Sequence, residues 1–266
     1  MNVAIAQLMS GPDKSKNLIK AQEYILRAKQ MGADFVLIPE GYMVYLSKTS
    51  NLKRADVAES LDGPFVSGLR EAARTNRIYV ICGIYESDTL DKVRAFNTTV
   101  CIGRNGEILA NYRKTHLYDA FMWRESDHII PGDGSLKTVE TEFGKIGVMV
   151  CYELRFPEVS RQFVLKGANI LFVPAAWVRG AMKEDHFETL ARARAIENTV
   201  YVCASDQVDN GYIGRSLIVD PMGVVLSGAG EEEQLFMVTI DLERVKRVRE
   251  KLPCLRHRRP QLYTVK

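Results

Sequence analysis

The sequence predicts an α/β protein, an α-β-β-α sandwich in which two sheets pack together and helices cover both outer faces. Three observations carry that expectation. Short apolar runs alternate with segments of helical spacing along the chain. Several of the runs, such as Phe35-Val36-Leu37-Ile38, are continuously apolar, as strands buried on both faces require. Residues 32–40 (Gly32-Ala33-Asp34-Phe35-Val36-Leu37-Ile38-Pro39-Glu40) also resemble residues 167–175 (Gly167-Ala168-Asn169-Ile170-Leu171-Phe172-Val173-Pro174-Ala175) position by position. Each of these segments follows a strand and a helix, so the match suggests two related βαβ halves. Nine residues can also match by chance, and both origins stay open.

The elements follow in order. Asn2–Leu8 is a short apolar strand, and residues 15–31 carry helical spacing through Leu18, Ala21, Ile25 and Ala28, with Gly32 as a stop. After the strand at 35–38, Pro64–Asn76 reads as a helix and Ile78–Tyr85 as a buried strand. Ala95–Gly103 and Glu107–Arg113 flank Asn105-Gly106, a strong hairpin signal. In the second half, Lys145–Val150 is a strand and Pro157–Lys166 a helix with proline in its first turn. Ile170–Val173 is a strand, Glu184–Glu197 a helix and Tyr201–Ser205 a strand. A second hairpin turns at Asp220-Pro221-Met222-Gly223 between Ser216–Val219 and Val224–Ser227. Leu235–Ile240 is the last strand, Leu242–Lys251 the last helix, and a polar tail follows. No low-complexity linker interrupts residues 1–266, so one domain is expected.

Composition limits the function classes. Hydrophobic residues at 46% and charged residues at 26% match an ordinary globular protein. A net charge of +3, from 36 Lys+Arg against 33 Asp+Glu, is too balanced to argue for nucleic acid or a membrane surface as partner. The basic stretch Arg244–Arg259 reads as a solvated helix face and tail. No apolar run reaches the ~20 residues that span a bilayer, and the amino terminus reads as a strand rather than a signal peptide. The five cysteines (Cys82, Cys101, Cys151, Cys203, Cys254) are odd in number and lack CxxC pairs, and the four histidines lack ligand spacing. A reducing, cytoplasmic setting and a protein without metal or cofactor are expected.

Three segments carry candidate chemistry. Residues 145–158 run from a buried strand through Cys151 and a tight turn to a helix beginning at Pro157. That puts the thiol at the carboxyl end of a strand, near a helix amino terminus, where α/β proteins bind ligands. Cys82, Cys101 and Cys203 lie inside apolar strands and read as small buried hydrophobes. Glu40 follows a buried strand directly; alone it reads as a loop residue, but beside Cys151 it could act as a general base. Lys114, at the end of a hairpin strand, reads alone as a surface charge, yet near a thiolate and a developing oxyanion it would stabilise both.

These three segments, in this order and spacing, resemble the catalytic motifs of the nitrilase, or carbon–nitrogen hydrolase, superfamily. They are Ile38-Pro39-Glu40, Arg113-Lys114-Thr115-His116-Leu117 and Cys151-Tyr152-Glu153-Leu154-Arg155-Phe156-Pro157-Glu158. A further family glutamate matches Glu125, ahead of Pro131-Gly132, and Arg192–Asn198 matches as a structural segment. Position 153 is Glu where many relatives carry Asp. The resemblance implies the four-layer sandwich and a cysteine mechanism. Glu40 takes the Cys151 proton, and Lys114 and the Tyr152 backbone N–H hold the oxyanion. Ammonia leaves a thioester that water then opens, while Glu125 orients the amide or Lys114. It also implies a homodimer or higher assembly, with the tail from about residue 252 to 266 at the interface.

Within the superfamily, residues 116–121, 174–180 and 257–263 are most similar to deaminated-glutathione amidases, which implies a small linear α-keto-acid amide as substrate. Substrate carboxylates would then meet cations, for which Arg179 and Lys183 are candidates, with Trp177 as a wall. Each also reads as an ordinary loop charge or packing ring. His186 is expected to pack or cap, and Arg155 to serve as a structural ion-pair partner. An ω-amidase, a nitrilase or an N-carbamoyl hydrolase would use the same residues. The alternative from another class is a catalytically silent scaffold, which need not retain Glu40, Lys114 and Cys151.

Overall fold

The structure is a computed structural model that describes residues 1–47 and 49–263. The chain opens with β1 (Asn2–Gln7), α1 (Lys14–Gln30), β2 (Phe35–Leu37), a short α2 (Arg54–Val57), α3 (Pro64–Asn76) and β3 (Tyr79–Glu86). Antiparallel β4 (Ala95–Ile102) and β5 (Ile108–Arg113) come next, then the small hairpin β6 (Asp119–Ala120) and β7 (Trp123–Arg124), and β8 (Ile129–Ile130). The second half contains β9 (Val139–Thr141), β10 (Gly144–Val148), α4 (Pro157–Leu165), β11 (Ile170–Ala175), α5 (Lys183–Asn198) and β12 (Tyr201–Asp206). It closes with β13 (Leu217–Val219), β14 (Val225–Gly228), β15 (Gln234–Thr239) and α6 (Leu242–Lys251).

Local chemistry accounts for the ends of these elements. The Asp13 carboxylate accepts the backbone N–H groups of Ser15 and Lys16 and so starts α1. Gly32, at φ +87°, turns the chain out of it. Asn105-Gly106 makes the expected tight turn between β4 and β5, with Gly106 at φ +82°. Asp220 caps the second hairpin by accepting the N–H groups of Met222 and Val224.

The strands order as β15-β1-β2-β3-β4-β5, with β8 beside β4, and as β14-β13-β12-β11-β10-β9. In each sheet three consecutive strands run parallel, β1-β2-β3 and β10-β11-β12, and an antiparallel strand flanks each side. The two halves are therefore equivalent in topology, as the internal match suggested. Residues along β1 and β2 alternate between two cores. Val3, Ile5, Phe35 and Leu37 face the second sheet, with the Phe35 ring 5.6 Å from that of Phe172. Ala4, Ala6, Val36 and Ile38 face Ile25 of α1 and Leu69 of α3. Apolar side chains on both faces are what an inner sheet of a four-layer sandwich requires. The α-β-β-α architecture is observed.

Boundaries differ by a few residues from those read in sequence. β10 stops at Val148, because Met149 and Val150 lead into the turn that holds Cys151, and β11 runs on to Ala175. The elements α2, β6, β7, β8 and β9 are too short for periodicity to reveal. Among the described residues, no helix is long and apolar enough to cross a membrane. Residues 264–266 of the expected interface tail lie outside the described part; its earlier residues fold back, with the Cys254 thiol against the carbonyl of Glu197.

Candidate active site

Cys151 sits at the carboxyl end of β10, in the left-handed region at φ +47°, and is 7% exposed. A residue with a side chain reaches that conformation at a cost of about 1 kcal/mol, so its surroundings must hold it. Glu153 does this. Its Oε2 accepts the Val150 N–H at 2.7 Å, while its N–H donates to Val150 O at 2.9 Å, closing the turn around the cysteine. Its Oε1 accepts from the Thr115 N–H (2.8 Å), the Thr115 hydroxyl (2.6 Å) and the Tyr112 hydroxyl (2.8 Å). The Cys151 turn is thereby tied to the strand end that carries Lys114. Burial pushes the Glu153 carboxyl up, but bonds from His116, Thr115 and Val150 outweigh it and hold the group below its ordinary value.

Lys114 is 2% exposed and lies between two carboxylates. Its Nζ donates to Glu40 Oε1 at 2.9 Å and to Glu125 Oε2 at 2.9 Å. Burial alone would discharge this ammonium, but Glu125, Glu40 and Cys151 reverse the shift and hold it well above its ordinary value. Asn97 bridges the carboxylates, its Nδ2 donating to Glu40 Oε1 at 2.7 Å and to Glu125 Oε1 at 3.2 Å. The other oxygen of Glu40 accepts the Ala176 N–H at 2.7 Å, and Glu125 Oε2 accepts the Tyr118 N–H at 2.7 Å. Burial first, and the charge of Glu40 second, push the Cys151 thiol well above its ordinary value; Lys114 and the Ala176 N–H oppose them. Burial and Glu40 thus favour the protonated form of the Cys151 thiol.

The matches to known proteins fit this geometry. The family described as carbon-nitrogen hydrolase matches residues 2–250. The chain belongs to the carbon–nitrogen hydrolase family. It is 37% identical over 265 residues to a deaminated glutathione amidase of Escherichia coli O157:H7, covering 98% of this chain and 100% of that protein. It is 34% identical to the omega-amidase NIT2 of Mus musculus, covering 99% and 96%. Among solved structures, it overlays with a TM-score of 0.85 on Saccharomyces cerevisiae Nit3, a member of the nitrilase superfamily, at 30% identity and 95% and 94% coverage.

Around the site of this carbon–nitrogen hydrolase, the candidate substrate contacts separate. Trp177 is buried; its N–H donates to Asp206 Oδ1 at 2.6 Å and its Nε1 to the Lys183 carbonyl at 3.0 Å. Lys183 is buried as well, and its Nζ lies 3.0 Å from the Tyr118 hydroxyl. Arg179 instead turns outward, donating to Tyr212 O at 2.6 Å and standing 3.8 Å from Glu231. Arg155 differs from the ion-pair expectation. Its guanidinium lies 5.0 Å from the Trp177 ring and 3.4 Å from His186 Nδ1, with no carboxylate in ion-pair range among the described residues. His186 is exposed on α5, with its ring beside the Arg155 guanidinium, so the packing or capping expectation is not met.

Sequence reasoning missed Asn97 and Asp206, and it noted Glu153 only as a departure from the Asp of relatives, without its role in closing the Cys151 turn. Asn97, Thr98 and Thr99 are three consecutive buried polar residues inside β4, a signal that a strand is serving a polar site. Asp206 ends β12 as Ala175 ends β11, and the two are register partners. Its place at the carboxyl end of a parallel strand, next to the end of β11, is the signal that would have pointed there.

Proposed function

We propose that Cys151, Glu40 and Lys114 carry out two-step hydrolysis of a small linear amide. Glu40 accepts the thiol proton as Cys151 Sγ bonds to the amide carbonyl carbon. The carbonyl oxygen becomes an oxyanion between the Lys114 ammonium and the Tyr152 backbone N–H. Charge-assisted donors held in a dry site act there before the reaction begins and need no reorganisation. Glu40 then gives its proton to the nitrogen, the carbon–nitrogen bond breaks, and ammonia (or an amine, for a substituted amide) departs. The remaining thioester is opened by water that Glu40 deprotonates, which releases the acid and returns the proton to Cys151. Glu125 and Asn97 hold Lys114 and Glu40 in place throughout.

One observation carries this reading. A single carboxylate, Glu40, is fixed by Lys114 on one side and by Ala176 N–H on the other, and the buried Cys151 thiol is shifted by the charges of both Glu40 and Lys114. A thiol, a base and a cation thus share one buried point. The substrate we infer bears a carboxylate and is an α-keto-acid amide of the deaminated-glutathione kind, bound near Trp177 and Lys183, with Arg179 turned away. The relatives named for that amidase and for omega-amidase support this assignment. Incubation with a panel of linear amides, read by mass spectrometry of the Cys151 peptide, tests it. An acyl adduct on Cys151 with acid and amine products is expected, and turnover that survives Cys151→Ala would end the proposal. Carbon dioxide among the products would instead mark an N-carbamoyl substrate, and a nitrile substrate a nitrilase. We also propose a homodimer or higher assembly, as the family resemblance implies, tested by the mass in solution of chains with and without residues 252–266, and a cytoplasmic setting, in keeping with the free cysteines.

A further inference from the structure

Lys183 is the first residue of α5 and is only 5% exposed. Among the described residues its ammonium has one hydrogen-bond partner, the Tyr118 hydroxyl, and no carboxylate within ion-pair reach. Three aromatic rings enclose it instead, with centroids at 4.3 Å (Phe121), 5.0 Å (Tyr118) and 5.9 Å (Trp177). A charge taken out of water without a counter-charge is costly, and ring faces return only part of the loss. The position makes matters worse, because the amino end of a helix is already electropositive. Met182, just before it, is held at φ +59°, a conformation that a side chain disfavours. A buried lysine end with a single hydroxyl partner, set at a helix amino terminus among three ring faces, is a site suited to an anion.

Its location says which anion. Tyr118 donates its backbone N–H to Glu125, the carboxylate on Lys114, and its ring meets that of Tyr152 at 5.1 Å edge-on. Trp177 adjoins Ala176, whose N–H holds Glu40. The ammonium therefore neighbours two residues that border the site, Tyr118 on the Glu125 side and Trp177 on the Glu40 side.

Resting on the amidase reading above, we propose that Lys183 is the specificity-determining residue. It receives the carboxylate at the far end of a linear acyl chain whose near end is the scissile carbonyl on Cys151. The rings of Phe121, Tyr118 and Trp177 exclude water from this ion pair and line the chain between its ends. Arg179, committed to Tyr212 and Glu231, is not the receptor. Lys183 takes no part in bond making, so its loss separates charged substrates from neutral ones of equal length.

Steady-state kinetics with succinamate and butyramide, which share a four-carbon acyl chain and differ in the terminal carboxylate, test this on the full chain. Lys183→Met should raise KM for succinamate on the order of 30- to 100-fold, the range expected for a lost charge-assisted pair. The ratio of kcat/KM for succinamate to that for butyramide should fall by a similar factor. Lys183→Arg should restore most of the succinamate activity. Succinate should compete with butyramide in the parent protein and lose that effect in Lys183→Met. Because the ammonium has no carboxylate partner, Lys183→Met should unfold at a temperature no lower than the parent. Equal losses on both substrates, or an unchanged succinamate KM, overturn the proposal, as does transfer of the whole effect to Arg155→Gln. A parent protein that turns over neither amide and forms no Cys151 adduct overturns the amidase reading itself.

Discussion

Glu40 accepts the backbone N–H of Ala176 at 2.7 Å, although 136 positions separate the two residues in the chain. Each follows the second parallel strand of its own sheet, β2 or β11, so the contact joins equivalent points of the two halves. Stacking the sheets face to face brings those ends together.

This contact fixes the proposed base, and replacing the base should stop turnover without dissolving the site. In Glu40→Gln one oxygen can still accept Ala176 N–H, but the other becomes an amide nitrogen facing the donors of Lys114 and Asn97. We expect kcat to fall about 10³-fold, within the range of general acid–base contributions. Amide turnover within tenfold of the parent would remove Glu40 from the mechanism.

The same substitution should have the opposite effect on the thiol. The negative charge of Glu40 is, after burial, the second cause of the upward shift of Cys151. Removing it while Lys114 remains favours the thiolate. Alkylation of Cys151 by iodoacetamide, followed peptide by peptide against pH, should therefore have a lower midpoint in Glu40→Gln than in the parent. An enzyme that loses turnover while gaining thiolate is the signature of a base, since a merely supporting carboxylate would not move the two in opposite directions. A midpoint that rises would contradict the proposed arrangement.

Glu153 supplies a stability prediction. Its buried carboxylate accepts from Val150, Thr115 and Tyr112 and is held below its ordinary value despite burial. A carboxyl lowered in the folded state adds stability above its unfolded pKa, about 4.3, and loses it as pH falls through the folded value. Glu153→Gln should cost about 2–3 kcal/mol at pH 7, the scale of charge-assisted bonds exchanged for neutral ones. The gap to the parent should shrink below pH 4. Urea denaturation at pH 7 and pH 4 measures both, and an equal gap at the two pH values would show that the charge is not the cause.

How much of this was visible in sequence depends on distance along the chain. Cys151 and Glu40 were legible because each ends a continuous apolar strand, and a strand end fixes where a side chain lies. Lys114 was legible only in combination with them. Arg179 and Lys183 read alike in sequence, four residues apart. Only the fold turns one toward Glu231 and buries the other under Phe121 and Tyr118. The hairpin at 119–124, which supplies Phe121, has two-residue strands and no periodicity to detect. Asn97 and Asp206 were hidden because polar residues inside apolar runs look like exceptions until the partner sheet is known.

Asp206 leads to the last prediction. It is fully buried at the end of β12; its Oδ1 accepts Trp177 N–H, and its Oδ2 has no partner among the described residues. Burial raises its carboxyl well above the ordinary value, and the nearby Glu40 charge adds to the rise, while the Trp177 N–H opposes it. A carboxyl whose folded pKa lies above its unfolded value, about 3.9, stabilises the fold most at low pH. That contribution is lost as pH rises through the folded value. Asparagine can keep the Trp177 bond while carrying no titrating proton. Asp206→Asn should therefore flatten the decline of the urea midpoint between pH 5 and pH 9, and should equal or exceed the parent in stability at the alkaline end. If the variant instead follows the parent's decline in parallel across that range, the pH dependence belongs to another group, and Asp206 does no more than hold the Trp177 backbone.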